Sequence, residues 1–183
     1  MFGHIIVDGP DAVGKTTLAK YINDKYSFKV VHSGADRKND YGYYHELITS
    51  NNHNFYDRFM AGEFVYPKIY DREPKLNWSD IGYLCDDIIN TNSLYIIMNC
   101  SNKDILLNRL AERGEFNYFN EIEQQIDLFR SFASILEKPF FEKYDNFRYV
   151  DISEPDSYDK LYSIVDEFIK NNKQGGLFWI YLT

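Results

Sequence analysis

The chain has 183 residues, a length that suits one domain with a sizeable core. Its 20 Lys and Arg against 28 Asp and Glu leave a formal charge of −8, which excludes a broadly basic nucleic-acid-binding face as its dominant feature. Cys85 and Cys100 are its 2 cysteines, with no CxxC and no paired Cys/His spacing, which argues against a disulfide scaffold or structural zinc and fits a reducing compartment.

Apolar runs of strand length alternate with segments of helical period, the pattern of a parallel α/β sheet. The first strand is expected over Phe2–Val7, ending at Asp8-Gly9. A helix then starts near Lys15, with Leu18, Ala19 and Ile22 on one side. Phe28–His32 and Asn54–Asp57 read as the second and third strands. Leu94–Asn99 is the clearest buried strand, and Lys103–Arg113 after it is helical. A longer helix over Glu121–Glu137 carries Ile122, Ile126, Phe129 and Ile135, so Phe129 is assigned to packing and Arg130 to the surface. Phe147–Asp151 supplies a fifth strand and Tyr158–Lys170 a last helix, giving one doubly wound domain over 1–183. Lys173-Gln174-Gly175-Gly176 reads as a joint before the apolar tail Leu177–Leu182, which is too short to span a bilayer and is expected to pack on the body. Met1-Phe2-Gly3-His4 lacks the basic stretch of a secretory signal, so a cytoplasmic protein is expected.

Gly9-Pro10-Asp11-Ala12-Val13-Gly14-Lys15-Thr16, followed by Thr17, fits GxxxxGK[ST] between a strand and a helix, the context the pattern requires. Gly9 and Gly14 permit tight curvature, so several N–H groups can face one oxyanion, and the helix N-terminus adds its positive dipole end. Lys15 would reach the β/γ oxygens of ATP, and the Thr16 hydroxyl would ligate Mg²⁺. Asp57-Arg58 ends the third strand beside this loop. There a carboxylate can hold the metal or its water, and a guanidinium can clamp an acceptor phosphate. Arg109 and Arg113, four apart on one helix face, are candidates to offset charge in phosphoryl transfer.

Together these residues resemble the thymidylate kinase family, within the wider group of nucleoside and nucleoside-monophosphate kinases. The resemblance runs in short blocks from Ile5 to about Ile169. Ile5–Thr17 is similar to that family's first strand and P-loop, including an acid at position three of the loop, which implies that Asp11 bonds the 3′-hydroxyl of a deoxynucleotide. Asp57-Arg58-Phe59 is similar to its Asp-Arg-Tyr block, and Tyr66 falls where its next helix bears a substrate-facing aromatic. Tyr95–Asn99 and Arg109–Glu115 look like its fourth strand and arginine-bearing lid. Ala12 stands where one subgroup has an arginine, so the resemblance implies a transition-state arginine from the lid and favours Arg113.

After the second strand this chain reads Val31-His32-Ser33-Gly34-Ala35-Asp36-Arg37 in place of the family's Arg-Glu-Pro-type block, and the connection to the third strand is short. Tyr41, Tyr43, Tyr44 and His45 are candidates to line the base, and Arg37 to contact an acceptor phosphate. A nucleoside hydroxyl needs a general base, whereas a phosphate acceptor is already anionic. Only His32 and Asp36 lie near the right place, which favours a monophosphate.

The expected fold is therefore a P-loop NTPase fold, a five-stranded parallel sheet sandwiched by helices, with a short arginine-bearing lid at about 109–121. The expected activity is ATP- and Mg²⁺-dependent phosphorylation of a deoxynucleoside 5′-monophosphate, dTMP or a related pyrimidine such as dUMP. The resemblance implies a homodimer; no nucleic-acid or membrane partner is expected. A deoxynucleoside kinase, a non-catalytic nucleotide-binding module and a 5′-end polynucleotide kinase are the alternatives.

Overall fold

A computed structural model describes residues 3–33 and 40–180, with side chains through 172. Five strands form one parallel sheet in the order β2-β3-β1-β4-β5. They are β1 (Ile5–Asp8), β2 (Lys29–His32), β3 (Asn54–Asp57), β4 (Leu94–Asn99) and β5 (Phe147–Asp151). Every residue of β1, β3 and β4 is buried, as continuous apolar strands between two helical layers require. Side-chain alternation sorts them: Ile5, Val7, Phe55, Ile96 and Met98 enter one core, and Ile6, Tyr56, Tyr95 and Ile97 the other.

The first core is covered by α1 (Lys15–Tyr26), α5 (Lys103–Glu112) and α7 (Ser157–Ile180). Over the second lie α2 (Tyr41–Thr49), α3 (Met60–Ile69) and α4 (Trp78–Asn90). The amphipathic α6 (Ile122–Leu136) serves both, with Ile122 and Ile126 in one core and Phe129, Phe132 and Leu136 in the other. Phe129 is buried and Arg130 pairs on the surface with Asp127, as expected.

The structure differs from the sequence reading at several helices. The helices α2 and α4 were not expected, and α3 was implied only by the resemblance that places Tyr66 on a helix. In α3, Gly62 and Pro67 are helix breakers by propensity, yet the burial of Met60, Ala61, Val65 and Tyr66 in the second core outweighs that. For α4 the start was written in the chain: Asn77 and Asp80 close a reciprocal capping box ahead of Ile81, Leu84, Cys85 and Ile88. At the other end, α7 continues to Ile180 through Gly175-Gly176, so the expected joint is helical backbone. Glycine there costs about 1 kcal/mol each but does not forbid the helix. Of the apolar tail, Tyr181 and Leu182 lie outside the described residues, as does Phe2 of the expected first strand.

At the opposite end of the sheet from the carboxyl-terminal strand ends, His4 is 1% exposed. Its Nδ1 accepts the Asn54 N–H at 3.2 Å, which fixes the neutral ring with its proton on Nε2. Burial lowers its pKa from the ordinary 6.5. The unfolded chain therefore binds a proton that the folded chain refuses as pH falls below 6.5. Folding free energy should drop by up to about 1.4 kcal/mol per pH unit in that window. Urea unfolding at pH 7.5 and 5.5 should show the loss in the native chain and a flatter profile in His4→Gln.

Candidate active site

The sheet sets the site at the carboxyl ends of β1 and β3. From β1 the chain turns through Gly9–Gly14 into α1, with Gly9 at φ +155°, Ala12 at +59° and Gly14 at +101°. A Cβ on Gly14 would lie 2.0 Å from the Tyr158 hydroxyl, so only glycine suits that position on both counts. Ala12 holds a left-handed conformation that costs an L residue about 1–2 kcal/mol. No side chain caps α1, so the N–H groups of its first turn remain available to an anion. Lys15 folds back over the loop, its Nζ donating to the carbonyls of Gly9 and Pro10 at 2.8 Å each. Burial lowers its pKa below the ordinary lysine value, while Asp57 and Asp11 act to keep it charged.

Beside the loop, Asp57 ends β3 and Arg58 turns into α3 at φ +74°. That turn is tied down from β1. The Arg58 N–H donates to the Val7 carbonyl at 2.9 Å, and the N–H groups of Phe59 and Ala61 donate to the Asp8 carboxylate at 2.7 and 3.0 Å. The Tyr95 hydroxyl donates to Asp8 as well, at 2.8 Å. Asp8 thus caps α3 from a neighbouring strand.

Two cavities adjoin here. The first, about 210 Å³, is lined by Gly14, Lys15, Thr16, Asp57, Arg113 and Glu115 among others. The second, about 220 Å³, is lined by Ser33, Tyr44, Glu63, Tyr66, Tyr70, Arg72 and Lys75 among others. Asp11, Arg58 and Tyr118 belong to both walls. Arg58 Nη2 donates to Asp11 Oδ1 at 3.0 Å, and its guanidinium lies over the Tyr66 ring, 5.2 Å from the centroid. Gln125 of α6, buried, grips Asp11 twice: it accepts the Asp11 N–H at 2.8 Å and donates to Oδ2 at 3.0 Å.

Among the described residues, the buried side-chain atoms without a hydrogen-bond partner are Ser33 Oγ, Asp57 Oδ1, Arg58 Nε and Tyr66 Oη. All belong to residues that line these cavities or, for Asp57 and Arg58, the wall next to Lys15. A buried polar atom left alone costs about 1–3 kcal/mol, so such a cluster is the mark of a place built for a ligand.

The sequence candidates divide as follows. Gly14, Lys15, Thr16, Asp57, Arg58 and Arg113 share the first cavity, and Tyr44 and Tyr66 stand in the second. Arg109 lines neither cavity; it is bonded to the carbonyls of Ala12 and Val13 and lines, with Gly14, Thr17 and Arg113, a further cavity of about 350 Å³ on the outer side of the loop. His32 lines the first cavity with its Nδ1 3.1 Å from Asp57 Oδ2, a partner that ties up the ring nitrogen nearest the site. Tyr41 stacks on His45, which bonds Asp87 of α4 at 2.8 Å, so these two brace α2 instead of lining a cavity. Asp36 and Arg37 lie outside the described residues. Asp8, Gln125, Glu63 and Tyr158 were not singled out from the sequence. Asp8 carried one hint, an acid closing an apolar strand; for Gln125, 114 residues from its partner, nothing local marks it.

The chain has the P-loop NTPase fold, and solved structures share it. YorR from Bacillus subtilis, solved in complex with phosphorylated GDP, matches 90% of this chain and 96% of its own at 19% identity, TM-score 0.69. Deoxyadenosine kinase from M. mycoides, solved with the products dCMP and dCDP, matches 91% of this chain and 98% of its own at 14% identity, TM-score 0.58. A gluconokinase from Sinorhizobium meliloti matches 99% of this chain and 98% of its own at 15% identity, TM-score 0.55. No protein-family model and no curated protein matches the sequence. No helix among the described residues is long and apolar enough to cross a membrane.

Proposed function

We propose that this chain is a kinase that moves the γ-phosphate of ATP to a deoxynucleoside 5′-monophosphate, with a pyrimidine such as dTMP or dUMP as the acceptor implied by the sequence resemblance. The observation that carries this reading is the set of unpartnered buried atoms on two adjoining cavities. One cavity offers amides and Lys15, the chemistry of a donor's phosphates. The other joins it through Arg58 and is walled by tyrosines, the chemistry of an acceptor with a phosphate at one end and a flat ring at the other.

The donor would lie on the loop Gly9, Pro10, Asp11, Ala12, Val13, Gly14, Lys15, Thr16 and Thr17. Lys15 would offset charge on the β and γ oxygens. The residues present fit Mg²⁺: Asp57 Oδ1 is buried and unpartnered, and the Thr16 hydroxyl lines the same cavity, both hard oxygen ligands. When bound, the ion would neutralise charge on the donor's phosphates. Arg58 would hold the acceptor phosphate with Nε and its neighbour, while Asp11, fixed by Gln125, faces the sugar. Arg113, at the end of α5, would meet the charge that spreads over the moving phosphoryl group. An acceptor oxygen forms a bond to γ-phosphorus as the bond to the β,γ-bridging oxygen breaks. The acceptor phosphate is already anionic, so no general base is required. A homodimer is the assembly the resemblance implies.

Transfer from Mg²⁺-ATP to a panel of deoxynucleosides and their 5′-monophosphates, resolved by chromatography, tests the reading. At least one monophosphate should become its diphosphate, and Arg58→Ala should cost that reaction at least about tenfold in kcat/KM, the worth of a charged hydrogen bond. Transfer to nucleosides alone would replace this reading with a nucleoside kinase. ATP binding without transfer to any of them would support the non-catalytic module.

A further inference from the structure

The outer side of the phosphate-binding loop is held by two residues from distant elements. Arg109 Nη1, on α5, donates to the Ala12 carbonyl at 3.2 Å and to the Val13 carbonyl at 3.4 Å. The Tyr158 hydroxyl, on α7, donates to the same Val13 carbonyl at 3.0 Å and accepts from Arg109 Nη1 at 3.2 Å. The guanidinium also sits over the Tyr158 ring, 5.8 Å from its centroid. The space a Gly14 side chain would need is filled by that same hydroxyl.

In a trans peptide the C=O and the N–H point in opposite directions. Pinning the carbonyls of Ala12 and Val13 outward therefore turns the N–H groups of Val13 and Gly14 to the loop's inner side. Val13 N–H does face inward, 3.4 Å from the Pro10 carbonyl that Lys15 Nζ also meets. Inner-facing amides are what an oxyanion needs. The clamp also gives Ala12, an L residue, a partner that holds it at φ +59°.

We infer that Arg109 and Tyr158 are positioning residues that shape the loop for a polyphosphate by holding its carbonyls, and that Arg109 acts through this backbone instead of on the reacting phosphates. The inference rests on the donor site proposed above. It gives Arg109 and Arg113, which line one cavity beside the loop, separate tasks: Arg109 holds the loop's carbonyls, while Arg113 also reaches the cavity of Lys15.

Calorimetric binding of Mg²⁺-ATP, Mg²⁺-tripolyphosphate and a deoxynucleoside 5′-monophosphate to the full chain tests it. Tyr158→Phe and Arg109→Ala should each weaken ATP and tripolyphosphate by the same factor, about tenfold, equivalent to about 1.4 kcal/mol. Monophosphate binding should not change, and Arg109→Lys, which keeps the cation but not the planar guanidinium over the Tyr158 ring, should fall between. Loss of ATP affinity with tripolyphosphate unchanged would overturn the inference, since the two residues would then touch the donor's base. Equal loss of the monophosphate would also overturn it, as a general loss of structure. If the native chain binds the monophosphate but neither polyphosphate, the donor site itself fails, and the clamp has nothing to shape.

Discussion

On the proposed reading, Lys15→Met should lower phosphoryl-transfer turnover about 10³-fold, the scale seen when a preorganised group facing developing charge is removed. Methionine keeps the apolar stem that lies under the loop but loses the two bonds from Nζ to the Gly9 and Pro10 carbonyls. The change also leaves Asp57 and Asp11 without the cation that both attract. Binding of ATP should weaken less than turnover falls, because loop amides remain to hold the ground state. Single-turnover kinetics with saturating ATP separates these effects. A turnover loss under about tenfold would mean that Lys15 only props the loop.

The largest stability effect falls on Asp8. Its carboxylate accepts from Phe59 N–H, Ala61 N–H and the Tyr95 hydroxyl, all with no other route to water, since Asp8 is 0% exposed. Asp8→Ala leaves these donors unpaired, at about 1–3 kcal/mol apiece, so urea unfolding should show a loss of about 3 kcal/mol or more. It also frees the turn that keeps Arg58 at φ +74°. Monophosphate KM should therefore rise even at temperatures where the variant is fully folded. Tyr95→Phe removes one donor together with its need, and should cost much less in stability. Equal costs for the two variants would contradict the capping account.

How much of this was legible depends on how local each interaction is. The phosphate loop was readable because its chemistry lies in eight consecutive residues between an apolar strand and a helix. Asp57-Arg58 was readable from its place at a strand end, and Tyr44 and Tyr66 line the second cavity. The clasp of Gln125 on Asp11 joins residues 114 apart, and the Tyr158 bond to Val13 joins residues 145 apart, so no pattern along the chain foretells either. Arg109 shows the limit of spacing: four residues from Arg113 places both on one helix face, yet it does not say that Arg109 bonds the carbonyls of the loop. The sheet was read to the residue in β3, β4 and β5: β4 is a wholly buried run, whereas the edge strand β5 sets buried Phe147 and Val150 among more exposed residues. Of the helices between β3 and β4, α4 was missed although its capping box and apolar spacing are written in the chain, while α3, whose Gly62 and Pro67 are poor helix formers, is held by packing in the second core.

The central claim is that the two cavities hold donor and acceptor of one reaction, meeting at Arg58. Its most direct test is the affinity of a ligand joining adenosine and a deoxynucleoside through five phosphates, long enough to occupy both. If both ends bind together, its Kd should fall below that of ATP by a factor on the order of 10² or more, the gain from making the second contact intramolecular. Arg58→Ala should remove most of that gain and cost ATP itself much less. A joined ligand that binds no more tightly than ATP would contradict the account.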